Sequence, residues 1–341
     1  MKILIIGLGS IGQRHLRNIY KLYPKTKFFA YRRIYTSPSL NNKNETTHIN
    51  LIKKYKIKKI SNLKNLDKLK LDAAFICSPS AFHVNESIIL LKKNINIFVE
   101  KPLGSSSKGL KLLKQTLKKT KAIHMLGFQM KFSPIIWHLK KLLKKNSYGK
   151  LNFANIHNGE NIEDFHLYEN YRNSYTSRKS LGGGVLLSQI HEIDYFINLF
   201  QDYKIVKSHS IISKNSTLDI DTEDTVSCIF QLKSKSNTIS VNLNLNFYER
   251  PKKKSLILIF EKSKIEVDFN RNIVLIFTQN KVIKKYFPFK RNDLFLNEVK
   301  FFLNHVKKNK KIDKDLSILN GIKTLEFCLN LKKNNFTFRE R

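Results

Sequence analysis

The sequence predicts an α/β fold in two parts: a parallel sheet built from βαβ units, then an α+β unit on a large, mostly antiparallel open sheet. Three observations predict it. The chain opens with a strand, a glycine turn and a helix; strands alternate with helices to about residue 126; and from Leu151 onward strands follow one another with alternating polarity. At 341 residues there is length for two domains, 1–126 and 127–341, each with a sizeable core.

The opening stretch is MKILIIGLGSIGQRH, in which the apolar run Ile3 to Ile6 breaks into Gly7, Gly9 and Gly12 and an amphipathic segment follows from Ile11. Gly7 allows a sharp turn, Gly9 lets backbone N–H groups approach a pyrophosphate, and Gly12 lets the helix pack on the strand. With the strand before and the helix after, this reads as a Rossmann dinucleotide-binding domain. Gly7, Gly9, Ser10, Ile11 and Gly12 are its expected cofactor contacts.

Lys27 to Tyr31 reads as the second strand, followed by Arg32 and Arg33 where an acidic residue would bind the ribose 2′-hydroxyl of NAD. Two guanidinium groups suit a 2′-phosphate instead, so the expectation leans to NADP, with NAD as the alternative. The bland reading is two more solvated cations in a basic chain. Helical periodicity resumes at Ile49 to Tyr55 and Leu66 to Leu69, before the strand Ala73 to Cys77 and a helix from about Phe82 to Lys93. The strand Ile95 to Glu100 then runs into Glu100-Lys101-Pro102. Ligands of parallel sheets bind at the carboxyl ends of the strands, which is where Ser78, His83, Glu100 and Lys101 fall. Pro102 biases Lys101 towards an extended conformation, fixing its direction at a strand end.

In the second half, Leu151 to His157, Ile205 to Ile212, Thr225 to Leu232, Thr238 to Phe247, Ser255 to Glu261, Lys264 to Phe269, Asn272 to Phe277 and Val282 to Phe287 read as strands. Val241, Leu243, Leu245 and Phe247 point one way and Asn242, Asn244 and Asn246 the other, so one face is apolar and one polar. Helices are expected at Asp293 to Lys307 and Leu316 to Lys332. Between the first of these strands and the rest lies a segment rich in Tyr, His, Arg and Ser, residues 164–195. It passes through Gly182-Gly183-Gly184 into a helix expected to carry Ser188, His191 and Tyr195 on one face. A histidine there can be a general base near neutral pH. On spacing alone a packed core histidine is the simpler reading.

Lys and Arg number 63 against 26 Asp and Glu, a net charge of +37. The lysines are spread along the chain with Asn and Ile, as a coding bias would produce, and no nucleic-acid-binding motif accompanies them. The excess should attract anionic small molecules. Cys77, Cys228 and Cys328 are far apart and lack close histidine pairs, which argues against disulfides and against a metal site and fits a reducing, cytoplasmic setting. Neither a signal peptide nor an apolar run of ~20 residues is read, so no membrane partner is expected.

GLGSIGQRH, CSPSAFH, EKP, GFQMKFSP and GGGVLLSQIHEIDY, in that order, resemble the glucose-fructose oxidoreductase/inositol dehydrogenase (Gfo/Idh/MocA-like) family. The resemblance implies a cofactor-binding Rossmann domain and a C-terminal domain whose open sheet forms the substrate site and often a dimer or tetramer interface. It implies that Lys101 holds the reacting hydroxyl and the nicotinamide edge, and that His191 is the acid/base. Gln129, Tyr168, Arg172, Tyr175, Arg178 and Ser188 would join them in binding a small sugar-type substrate. The implied reaction is hydride transfer between nicotinamide and a secondary hydroxyl or ketone of a sugar derivative, a sugar nucleotide or sugar phosphate of surface-polysaccharide metabolism by analogy. Two departures stand out. Ser188 replaces the usual Asp three residues before the histidine, and Lys131 stands where Arg is frequent. The first motivates a competing reading, a catalytically weakened NADP-binding sensor or partner subunit; within the enzyme class the alternative is a polyol (inositol-type) dehydrogenase.

Overall fold

The computed structural model describes residues 1–32, 38–41, 44–145 and 148–333. Six strands form the first sheet: β1 (Lys2–Ile6), β2 (Lys27–Tyr31), β5 (Lys58–Ile60), β6 (Ala73–Ile76), β7 (Asn96–Glu100) and β8 (His124–Gly127), in the order β5-β2-β1-β6-β7-β8. A two-residue pair, β3 (Ser39–Leu40) and β4 (Thr46–Thr47), lies in the loop after β2. Every pairing in the six-stranded sheet is parallel. That is why Ile3 to Ile6 and Ala73 to Ile76 read as unbroken apolar runs: both faces are covered and all eight residues are buried. The crossovers are α1 (Ser10–Leu22), α2 (Leu51–Lys54), α3 (Ser80–Lys92) and α4 (Leu110–Lys119). The strand order reverses between β1 and β6, the point at whose carboxyl ends sheets of this kind bind their ligands.

After α5 (Pro134–Lys145) comes the second sheet, with strands β9 (Leu151–Gly159), β10 (Lys204–Ser213), β11 (Thr225–Lys233), β12 (Thr238–Asn246), β13 (Lys253–Phe260), β14 (Ser263–Asp268), β15 (Ile273–Thr278) and β16 (Val282–Tyr286). Its order is β10-β11-β12-β9-β13-β14-β15-β16, antiparallel throughout except where β9 and β12 run parallel at its centre. Val226, Cys228, Phe230, Val241, Leu243 and Leu256 form its buried inner face. The opposite face carries Asn242 and Asn244 together with exposed Ile211, Ile229 and Ile259. Two short helices, α6 (Val185–Ser188) and α7 (Ile190–Leu199), and the last helix, α9 (Ile318–Lys333), cover the inner face. Helix α8 (Arg291–Lys307) instead returns to the first sheet. Its Phe302 meets the rings of Phe75 and Phe98 at 5.5 and 5.7 Å between centroids.

The helix expected to run unbroken past Gly184 is two helices. Gln189, at φ −98° and ψ 31°, separates them, so Ser188 ends one and His191 lies in the first turn of the next. The side chains packed on all sides of this segment, from Val185 to Phe196, set the bend, and no Gly or Pro marks it in the sequence.

Phe302 is 0% exposed in a ring-packed core. Phe302→Ala is therefore expected to cost about 3–5 kcal/mol in urea denaturation, whereas Ile229→Ala on the open face should stay within about 0.5 kcal/mol of the native protein.

Candidate active site

The glycine turn is built by close approach. Gly7 sits at φ 86°, its N–H bonded to the carbonyl of Tyr31 at 2.9 Å. A Cβ on Gly7 would come within 2.7 Å of the Cys77 carbonyl, and one on Gly12 would run into the carbonyl of Gly7. These two glycines are explained by the protein itself. Gly9 is not: a Cβ there would meet nothing within 4 Å, although Gly9 caps the thirteen-residue α1. A glycine facing open space at a helix N-terminus fits a dinucleotide whose phosphates approach the backbone, with Gly9, Ser10 and Ile11 placed to hold them. Half-buried Arg32 lines a cleft of about 350 Å³ with Gln13, Ser39, Thr47 and His48. Arg33 lies outside the described residues.

At the other strand ends the polar groups brace the frame. Ser78 Oγ donates to Glu86 at 2.5 Å. His83 is 1% exposed, and its ring nitrogens face the carbonyls of Ser78 (2.6 Å) and Pro102 (2.8 Å). Both nitrogens are thus engaged within the chain, and His83 ties the ends of β6 and β7 together. Glu100 points back towards α1, its Oε1 2.6 Å from His15 Nε2, while its Oε2 accepts the Lys101 backbone N–H at 3.2 Å.

The ammonium of Lys101 donates to the carbonyl of Ser188 at 2.7 Å. Burial brings its pKa down to about 8, against the opposing pull of Glu100 and Glu192. His191 is 7% exposed, with its ring 5.9 Å from that of Phe128, and neither ring nitrogen has a hydrogen-bond partner among the described residues. Burial first, then the charges of Lys101, Lys254 and Arg291, hold its pKa well below the usual histidine range. The imidazole is a neutral, unoccupied base surrounded by cations. Gln129 Oε1 and Ser188 Oγ are also buried without partners among the described residues.

The expected substrate residues divide. Tyr168 hydrogen-bonds Ser10 of the glycine turn, and burial pushes its phenol well up. Tyr175 is pushed up to about 12 by burial and then by the charges of Glu100 and Glu169. Arg178 is half-buried, its carbonyl accepting from Gly183 at 3.0 Å. Arg172 is exposed, paired with Asp219 at 3.0 Å and packed over Tyr171. Ser188 does not orient the imidazole through its hydroxyl; it contributes its carbonyl to Lys101.

Two residues of the site carry no motif. Lys254 of β13 pairs with fully buried Glu192 at 2.6 Å, and Arg291 opens α8. Both reach His191 only through the fold. Lys131 likewise leaves the site to bind the Asp315 carbonyl (2.7 Å) and Asp194 (3.2 Å).

Residues 1–128 match the family model described as "Oxidoreductase family, NAD-binding Rossmann fold", and residues 136–266 the one described as "GFO/IDH/MocA C-terminal domain". The chain is 26% identical over 152 residues to scyllo-inositol 2-dehydrogenase (NAD(+)) of Bacillus subtilis, covering 44% of this chain and 42% of that protein. It is 23% identical over 207 residues to glucose-6-phosphate 3-dehydrogenase of the same organism, covering 61% and 56%. The match thus spans about half the length of these curated relatives. The solved structure of UDP-N-acetylglucosamine 3-dehydrogenase from Acidithiobacillus ferrooxidans is similar with a TM-score of 0.73 at 14% identity, over 98% of this chain and 97% of that one. At that identity the likeness is one of fold.

Gly9→Ala and Gly12→Ala separate the two reasons for glycine. Gly9→Ala should melt within a degree or two of the native protein yet bind NADH or NADPH at least tenfold more weakly by fluorescence titration. Gly12→Ala should lose stability as well, because its Cβ collides with the turn.

Proposed function

The chain belongs to the GFO/IDH/MocA oxidoreductase family, and on that premise we propose that it moves a hydride between a nicotinamide cofactor and a secondary hydroxyl or ketone of an anionic sugar derivative, a sugar nucleotide or sugar phosphate. The observation that carries the reading is His191: a nearly buried imidazole with both nitrogens unpartnered among the described residues, beside the Lys101 ammonium. Buried polar atoms are ordinarily satisfied, so an unsatisfied base in a crevice supports a ligand-facing role. Lys101, Lys254 and Arg291 around it favour a substrate carrying negative charge.

In this reading His191 accepts the proton of the substrate hydroxyl. Lys101, its charge held by Glu100 and oriented by the Ser188 carbonyl, stabilises the developing alkoxide. The nicotinamide, when bound, supplies the acceptor or donor for the hydride. Lys254 and Arg291 receive the anionic part of the substrate. NADP is preferred over NAD, a reading supported by Arg32 in a polar cleft with Ser39, Thr47 and His48. A homo-oligomer formed through the open sheet is supported by the exposed Ile211, Ile229, Ile259 and Tyr286 on that sheet.

The polyol reading is favoured by a curated relative named as an inositol dehydrogenase. The sensor reading is favoured by Ser188, which leaves His191 without a carboxylate to stabilise its cation.

Lys101→Ala and His191→Ala should each lower turnover by roughly 10²–10⁴-fold while cofactor dissociation constants stay within a few-fold; variants that turn over like the native protein would remove the proposal. Since Lys101 titrates at about 8, its charge is lost as pH rises, and kcat/KM should fall above pH 8. The acidic limb should lie below the ordinary histidine range, and Ser188→Asp should move it upward. Separate titrations should find NADPH tighter than NADH, with Arg32→Ala bringing the two together. Equal binding by the native protein would leave Arg32 a solvated cation.

A further inference from the structure

Glu298 of α8 is 0% exposed, and neither of its carboxyl oxygens has a hydrogen-bond partner among the described residues. It is nevertheless not alone. A nitrogen of His15, a carboxyl oxygen of Glu100 and one of Glu298 all lie within 4.8 Å of one another. The walls are apolar: the His15 ring packs against Phe75, Phe98 and Phe295, with centroids 5.5, 5.0 and 6.2 Å away.

The groups facing this cluster come from every neighbouring element. α1 contributes Arg14 and His15, β6 leads into Cys77, β7 ends in Glu100 and continues to Lys101, and Tyr175 senses Glu100 from the loop. The two cations among them are directed elsewhere. Arg14 binds Asn292 and Asn44, both at 3.1 Å, and packs over Phe295, while Lys101 binds the Ser188 carbonyl. Glu100 is satisfied by His15 and by the Lys101 N–H. Glu298 has no such donor, and an ionised carboxylate without donors or a cation is too costly to bury. The acid form has what the site offers: a proton to give, with the Glu100 carboxylate as an acceptor within the cluster.

We propose that Glu298 is held as a neutral carboxylic acid against the His15–Glu100 pair, making it a positioning residue that leaves Glu100 as the single anion beside Lys101. Burial and the charge of Glu100 both push the Glu298 carboxyl well up, in agreement with the geometry. The protonation rests on the fold alone. The consequence for Lys101 rests on the function proposed above.

The experiment is infrared difference spectroscopy at neutral pH on the whole protein, native against Glu298→Gln, with the cofactor-free chain. The carbonyl stretch of a protonated carboxylic acid should be present in the native protein, shift in D₂O, and be absent from Glu298→Gln. Denaturation across pH supplies a second readout. A carboxyl titrating higher in the folded than in the unfolded protein stabilises fully at low pH, and that contribution is lost as pH rises through the folded value. Glu298→Gln should therefore gain on the native protein as pH rises, and Glu298→Ala, which leaves a hole, should be destabilised at every pH. In turnover, Glu298→Gln should leave the alkaline limb where it is and Glu100→Gln should move it to lower pH. No acid carbonyl band overturns the proposal, and so does a divalent cation bound one per chain and lost in Glu298→Gln, which would make the cluster a metal site. If no substrate is turned over, the function fails, while the spectra and the pH-dependent stability still decide the protonation.

Discussion

The contact on which the site depends joins the two sheets: the Lys101 ammonium donating to the carbonyl of Ser188 at 2.7 Å. One partner is delivered by the last residue of a parallel strand and the proline behind it, the other by the interruption at Gln189. In an unbroken helix the Ser188 carbonyl would accept the N–H of Glu192, but here that N–H turns to the carbonyl of Gln189 at 3.2 Å. The freed carbonyl takes the ammonium instead. Burial weakens the charge on Lys101, a backbone dipole and Glu100 sustain it, and shifting either domain would leave an ammonium in a poor solvent.

The acidic residues around His191 serve the frame. Glu192 pairs with Lys254 of β13, and Asp194 with Lys131 of the turn before α5 and with Asn320 of α9. Burial raises the Asp194 carboxyl to about 6 against the pull of Lys131. Buried ion pairs of this kind contribute little net stability, but neither partner can be removed without leaving an uncompensated charge. His191 thus sits on a helix held by two buried ion pairs, one to β13 of the open sheet and one to the turn before α5, with Asn320 of α9 joining the second.

Much of the architecture was legible because it rests on local rules. Ile3 to Ile6 with Gly7, Gly9 and Gly12, the alternation in β12, and the strand end at Glu100 each announce themselves within a few residues. What could not be read depends on distant parts of the chain. Nothing near Gln189 breaks a helix, and the bend is imposed by packing on both sides. Lys254, Arg291 and Glu298 look like surface charges in a chain with 63 basic residues; only the tertiary fold pairs Lys254 of β13 with buried Glu192 and buries Glu298 where α8 packs on the first sheet. Arg172 shows the same dependence on distant chain, since its ion-pair partner Asp219 lies 47 residues away.

A single apolar cluster runs from α3 and β8 across α9 into the second sheet. Gly321 of α9 sits so close to Leu126 of β8 that a methyl group would not fit, while the same helix also packs on β10. Rotating one sheet against the other would have to break the packing of α9 on both sides. In the irregular 164–181 segment Leu167 projects almost wholly into solvent, while Phe165 and Tyr171 pack against the same cluster.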